Sequence, residues 1–223
     1  MQALIECSLP LPKHATRLVS SESNSRSVTH HTFMSFDTTH INKGRQDLTG
    51  KESVWVFGYG SLIYKADFPY FERKPAKIDG WARRFWQGSH DHRGTPQHPG
   101  RVVTLIEADE ACLGMAYRVA PTTFDHLDVR EKNGYLRFQT TLYFLDGTQD
   151  QGLVYIATPG NAAWLGEAPI DELARHILHS HGPSGPNRSY LLQLDTSLRA
   201  LGAHDAHVFA IADALRALEK ENT

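Results

Sequence analysis

Residues 54–63 read VWVFGYGSLI, an apolar run that breaks at once into two glycines and a serine. Val54, Trp55, Val56 and Phe57 are β-branched or aromatic, which fits a buried central strand better than a helix. Gly58 and Gly60 permit backbone angles closed to other residues, and their missing side chains let a ligand approach main-chain N–H groups. Such a turn can cradle a carboxylate or an oxyanion; a tight turn closing a core strand is the alternative reading. Two other readings fail. Gly58-x-Gly60 lacks the third glycine and following helix of a dinucleotide fingerprint, and no Gly-Lys-Ser/Thr follows for a phosphate loop. Ser61 is not in a nucleophile elbow either, because Tyr59 and Ile63 stand where that elbow needs glycines.

A second stretch, VREKNGY at 129–135, carries the candidate reactive group. The segment Pro121 to Asn133 has helical character: Thr122 or Thr123 can cap it, and Phe124, Leu127 and Val129 form its expected buried stripe. Asn133 and Gly134 suit a left-handed stop, which puts Glu131 in the last turn. Unpaired carbonyls at a helix C-terminus disfavour an ionised carboxylate, and partial burial pushes the same way. A glutamate so raised can take and return a proton near neutral pH. Arg130 and Lys132 oppose that shift, and a solvated charge run is the competing reading of Arg130, Glu131 and Lys132.

The chain has 223 residues, 23 basic and 25 acidic, for a formal net charge of -2. One substantial core is within reach. The balanced charge excludes a whole-molecule field recruiting nucleic acid or an anionic membrane, and favours a small-molecule ligand. Cys7 and Cys112 have no CxxC spacing, which excludes a disulfide scaffold or cysteine zinc site and fits a reducing, cytoplasmic setting. No apolar run approaches the roughly 20 residues that span a bilayer, and the N-terminus does not read as a signal peptide. Residues 1–50 are rich in Ser, Thr, His and Asn without a sustained period, so disorder is expected there, with the folded domain over 51–223. A weak transit peptide is the alternative use of that acid-poor tail.

Between the two stretches, Phe68, Tyr70, Phe71, Trp81, Phe85 and Trp86 are broken by Pro69, Pro75 and Gly80, which predicts short strands and loops. His90 to Arg101 is a long polar loop in which Arg93 or Arg101 could hold a carboxylate through paired hydrogen bonds. His90, His92 and His98 lack a fourth metal ligand, as do His176, His179 and His181, so no metal is expected. Val102 to Glu107 and Ala111 to Val119 read as two strands across an acidic turn at 108–110.

After Glu131, Leu136, Phe138, Thr140, Leu142 and Phe144 alternate with Tyr135, Arg137, Gln139, Thr141 and Tyr143, and Asp146-Gly147 turns the chain into a hairpin with 152–158. Two amphipathic helices follow, one through Ile170, Leu173, Ala174, Ile177 and Leu178, the other through Val208, Ile211, Ala212, Leu215 and Leu218. A Gly/Pro loop, 181–192, separates them and ends at a helix carrying Tyr190, a core aromatic or a hydroxyl sent into a pocket.

Four stretches in order, VFGYGSLI (56–63), HRGTPQHPGRVVTL (92–105), VREKNGY (129–135) and HGPSGPNRSYL (181–191), resemble the motifs of ChaC-like γ-glutamylcyclotransferases. The resemblance spans 54 to about 200. It implies an α+β fold, a small mixed β-barrel with flanking helices, and cleavage of glutathione to 5-oxoproline and cysteinylglycine without metal or cofactor. It places the substrate-binding loop on Gly58, Tyr59, Gly60, Ser61, Leu62 and Ile63, and the proton carrier on Glu131. Tyr64 stands where the family usually has tryptophan, and Asn133 replaces a glycine.

The chemistry of that reaction agrees with the residues present. A γ-glutamyl group carries an α-amine positioned to attack its own amide carbonyl, so positioning matters more than an external nucleophile. The amine must lose a proton and the leaving nitrogen must gain one, and a single glutamate can do both in turn. Main-chain N–H groups of the 58–62 turn can meet the developing oxyanion. With Arg93 and Tyr190 as further candidate substrate contacts, the expectation is a monomeric cytoplasmic enzyme acting on glutathione, with no nucleic-acid or membrane partner. The competing expectations are a cyclotransferase for other γ-glutamyl amino acids or amines, and a non-catalytic binding module.

Overall fold

The computed structural model describes residues 37–221. Five strands close into a barrel: β1 (Val54–Gly58), β2 (Glu72–Ser89), β3 (Gly100–Val119), β4 (Tyr135–Phe144) and β5 (Gln149–Ala157), in the order β1-β3-β2-β4-β5. Neighbours are antiparallel except β1 and β5, which run parallel. As VWVF predicts, β1 is a central strand with a partner on both edges, and Val56 and Phe57 are fully buried. Closure pairs most of the strand edges that an open sheet would present. The α+β barrel implied by the resemblance is therefore the fold observed.

Helices α3 (Ile170–His179), α4 (Asn187–Ala200) and α5 (Ala206–Glu221) flank the barrel. The stripes read from the sequence are the faces they bury: Leu173, Ala174 and Ile177 in α3, and Val208, Ile211, Ala212 and Leu215 in α5. Apolar residues at i, i+3, i+4 and i+7 put these side chains on one side of each helix. Among the described residues no helix is long and apolar enough to cross a membrane.

Four expectations are corrected. The 102–119 region lies within one twenty-residue strand, Gly100–Val119, and is not a hairpin across 108–110. The tripeptide bulges instead of reversing the chain: Asp79 pairs with Ala111 and Trp81 with Glu107, so residues 108–110 stand opposite the single Gly80, which has φ +84°. The short strands expected after residue 64 are likewise the eighteen-residue β2, which accommodates Pro75 opposite Met115 and bends at Gly80. In β4 the buried face changes along the strand, from Tyr135 and Arg137 to Leu142 and Phe144. Arg137, placed opposite the Leu136 to Phe144 set, is 2 % exposed and lies 3.6 Å from the Asp128 carboxylate. Finally, order begins earlier than residue 51: helix α1 (Thr39–Lys43) packs on the barrel, with Asn42 fully buried. Residues 1–36, the remainder of the expected disordered tail, lie outside the described residues.

Candidate active site

The site is built where β1 ends. Gly58 still pairs with Met115 of β3; the chain then leaves the barrel through Tyr59 and Gly60 into a single 3-10 turn, Ser61–Ile63. Both glycines are required for space and not for left-handed backbone, since Gly60 has φ −116°. A Cβ on Gly58 would fall 2.3 Å from Cβ of Leu62, and one on Gly60 would fall 2.9 Å from Oη of Tyr190. Two tethers hold the turn from behind. Arg83, 2 % exposed, donates from Nε to the Tyr59 carbonyl at 2.6 Å and pairs with Asp205. The Tyr59 hydroxyl donates to the Tyr155 carbonyl at 2.7 Å.

Facing this turn is helix α2 (Thr123–Arg130), whose C-cap is Glu131. Its inward stripe is Phe124, Leu127 and Asp128, and one further turn along that stripe arrives at Glu131. Val129, expected in the stripe, instead points outward and is 54 % exposed. Gly134, at φ +83°, makes the left-handed reversal that sends the chain into β4.

Between these elements lies a cavity of about 500 Å³, and Gly58, Tyr59, Gly60, Ser61, Leu62, Arg93, Glu131 and Tyr190 all line it. Residues that are far apart in sequence thus share one wall-to-wall space. Ile63 does not line it: the side chain is 2 % exposed and belongs to the core, because a 3-10 turn throws successive side chains to different sides. Arg93 has one nitrogen already committed, with Nη1 donating to the carbonyls of Ser184 (2.8 Å) and Pro186 (3.3 Å), which ties the 90–99 loop to the entry of α4. Arg101, the other arginine considered, is buried and donates to the carbonyls of Phe85 and Gly166, away from the cavity.

The electrostatics single out Glu131. Burial pushes its pKa above the usual glutamate range, against the opposing pull of Arg130 and His92, with Asp67 adding to the rise. Nε of Arg130 lies 3.2 Å from Oε1 of Glu131, its Nη2 donates to Oγ of Ser61 at 2.8 Å, and its Nη1 meets Asp67. Arg130 therefore links the glutamate to the glycine turn. The sequence placed Arg130 only in a charge run and gave no signal for Asp67, whose role depends on a contact across 63 residues. Burial also raises the pKa of Tyr59, Tyr135 and Tyr190, and that of Tyr64 to about 12, so these phenols stay neutral; those of Tyr59, Tyr135 and Tyr190 are hydrogen-bonded, whereas the Tyr64 hydroxyl is buried without a partner among the described residues. Among the described residues no group of three or more His, Cys, Asp or Glu is placed to hold a metal ion. His176, from one of the histidine sets, hydrogen-bonds the Pro99 carbonyl at 2.7 Å instead.

The sequence pattern of the ChaC-like protein family matches residues 54–218, from the first residue of β1 into α5. The chain belongs to the ChaC-like family. Among the family's relatives, "Gamma-glutamylcyclotransferase 2-3" of Arabidopsis thaliana is 44 % identical over 183 residues, covering 76 % of this chain and 92 % of its own. "Glutathione-specific gamma-glutamylcyclotransferase 1" of Danio rerio is 43 % identical over 187 residues, covering 78 % and 95 %. Among solved structures, a yeast γ-glutamyl cyclotransferase described as specific to glutathione superimposes with a TM-score of 0.69 at 33 % identity, covering 74 % of this chain and 96 % of that one. The family match starts after α1, so the packed segment 37–53 is outside it.

Proposed function

We propose that this ChaC-like protein is a glutathione-specific γ-glutamylcyclotransferase in which Glu131 carries the proton. The observation that supports this reading most directly is an acid-base group of raised pKa facing a glycine turn across one cavity large enough for a tripeptide. The names of the relatives point to the same substrate.

In this reading the γ-glutamyl group lies with its amide carbonyl against the 58–62 turn. Main-chain N–H groups there receive the charge that builds on the carbonyl oxygen. The Ile63 N–H is not one of them, because it is bonded to the Gly60 carbonyl at 3.0 Å. Glu131, ionised, takes one proton from the substrate ammonium; the free amine attacks the γ-carbonyl; the new ring C–N bond forms and the bond to cysteinylglycine breaks as Glu131 gives that proton to the departing nitrogen, and Glu131 then carries a second proton from the ring nitrogen to the released amine. The products are a neutral lactam and a cysteinylglycine ammonium, Glu131 is ionised again, and proton and atom counts close without an added water or cofactor. Arg130 holds the carboxylate toward the turn through its Glu131 and Ser61 contacts. Tyr190 and Arg93 shape the wall where the rest of the tripeptide lies. A monomer working in the cytoplasm, where glutathione is kept reduced, completes the proposal.

The test is incubation of the purified chain with glutathione and, separately, with γ-glutamyl dipeptides and γ-glutamyl amines, with 5-oxoproline and the released product measured by mass spectrometry. Release from glutathione at a kcat/KM at least tenfold above the others is expected. A preference for another γ-glutamyl compound overturns the specificity, and no 5-oxoproline from any of them overturns the activity.

A further inference from the structure

The barrel is not closed by strands alone. β4 pairs with β5 along Tyr135 to Tyr143, but β2 meets β4 at only two positions, Ala76 with Phe144 and Lys77 with Tyr143. The first half of β4 therefore turns its other edge toward no strand, and main-chain groups at such an edge need partners.

Residues 37–46 supply them. Asn42, fully buried, donates from Nδ2 to the Tyr135 carbonyl at 3.0 Å and accepts from the Arg137 N–H at Oδ1 at 2.9 Å. These are the two groups that a residue of an adjoining strand would engage, so one side-chain amide does the work of a ladder step. The Arg137 carbonyl accepts from Nε of Arg45 (2.5 Å) and Nε2 of Gln46 (3.1 Å), and the Arg45 guanidinium lies over the Phe138 ring. Thr38 reaches one step further back, donating from N to the Lys132 carbonyl at 2.9 Å, while its one hydroxyl proton is shared between the Tyr135 carbonyl at 2.7 Å and the Lys132 carbonyl at 3.0 Å. Thr39 Oγ1 donates to the Asp128 carbonyl in α2. A five-residue helix such as α1 does not hold itself in water; it is set by these contacts, and they converge on the turn from Glu131 to Tyr135.

We infer that the segment 37–46 is a surrogate strand whose Thr38 and Asn42 are positioning residues, clamping the 132–135 backbone so that Glu131 keeps its place opposite the 58–62 turn. This rests on the proposal that Glu131 carries the proton. The turn is also gripped by Gln87 on the Asn133 carbonyl and by Asn133 on Asp91, so loss of the outer clamp loosens the turn without unfolding the barrel. Misplacement of a catalytic group by about 1 Å is enough to cost about a hundredfold in rate.

The experiment uses the full chain with Thr38→Val, which keeps the shape and loses the hydroxyl donor, Thr38→Ser, which keeps the donor, and Asn42→Ala. Steady-state 5-oxoproline release from glutathione is measured beside the NMR titration of the Glu131 carboxyl, a readout that needs no substrate. Thr38→Val is expected to lower kcat about tenfold or more with KM within about twofold, and to move the Glu131 midpoint down toward the ordinary glutamate value as water enters. Arg130, His92, Asp67 and the neighbouring Tyr59, Tyr135, Tyr155 and Tyr190 are unaltered in each variant. Thr38→Ser is expected to keep both quantities near those of the parent. Unchanged kcat and midpoint in Thr38→Val, or an equal loss in Thr38→Ser, overturns the inference. If the parent releases no 5-oxoproline, the proposed activity fails while the Glu131 titration still decides the clamp. Should Asn42→Ala not fold, the Thr38 pair carries the test.

Discussion

Glu131→Gln separates proton transfer from every other property of the site. Glutamine has the same shape and can still accept from Nε of Arg130, which lies 3.2 Å from Oε1, so the cavity wall and the link to Ser61 persist. What is lost is the exchangeable proton, needed once to free the amine and once to protonate the leaving nitrogen. General acid-base groups are worth about 10² to 10⁴ in rate, and because two transfers depend on this one group, a fall in kcat of at least about 10² is expected, or about 3 kcal/mol of barrier. KM should stay within about threefold.

The pH dependence gives a second, independent measure. Burial outweighs Arg130 and His92, so the Glu131 pKa is raised and the acid limb of kcat should lie above the ordinary glutamate value in the parent and vanish in the variant. The same shift fixes the sign of the stability change. A carboxyl whose folded pKa is raised favours the fold at pH below its unfolded value, and that contribution is lost as pH rises through the folded value. Glu131→Gln should therefore raise Tm relative to the parent at pH 7 to 8, with the gain disappearing near pH 4. The assay is 5-oxoproline release across pH, paired with thermal unfolding in the same buffers. Retention of kcat within about fivefold would show that another group moves the proton, and a lower Tm at neutral pH would contradict the buried-carboxyl account.

Three other outcomes are expected. Burial pushes the Cys112 thiol up to about 11, so at pH 8 about one molecule in a thousand carries the thiolate; iodoacetamide should leave the Cys112 peptide unlabelled in the native chain and label it in urea, as peptide mass mapping will show. Gly60→Ala brings a Cβ to 2.9 Å from Oη of Tyr190 and 3.1 Å from Cγ2 of Val103; overpacking costs about 1–3 kcal/mol, read as a lower urea midpoint, and a KM raised about tenfold is expected from the displaced turn. Asn187→Ala removes the two bonds that a fully buried side chain makes to Arg101, accepting from its N–H at 2.6 Å and donating to its carbonyl at 2.8 Å. Two orphaned main-chain groups cost about 2–4 kcal/mol, and a loss below about 1 kcal/mol in urea unfolding would refute that reading.

By itself the sequence determined what depends on local stereochemistry and on period. VWVF became β1, the alternation after Tyr135 and the Asp146-Gly147 reversal became the β4–β5 hairpin, and the apolar stripes of α3 and α5 became their buried faces. Glu131 was legible as a candidate because a helix stop follows it. Tertiary structure alone decided the rest. Whether 108–110 reverses the chain or only bulges within one strand depends on β2 lying alongside, and whether Arg137 faces water depends on Asp128 and on the segment 37–46. Arg93 went to the Ser184 and Pro186 carbonyls, and Ile63 went to the core. The joining of Glu131 to Ser61 through Arg130 belongs to the same class. Spacing along a chain reports what repeats every two or three to four residues, whereas a carboxylate, a guanidinium and a glycine turn tens of residues apart meet only because the barrel closes and leaves them on one wall.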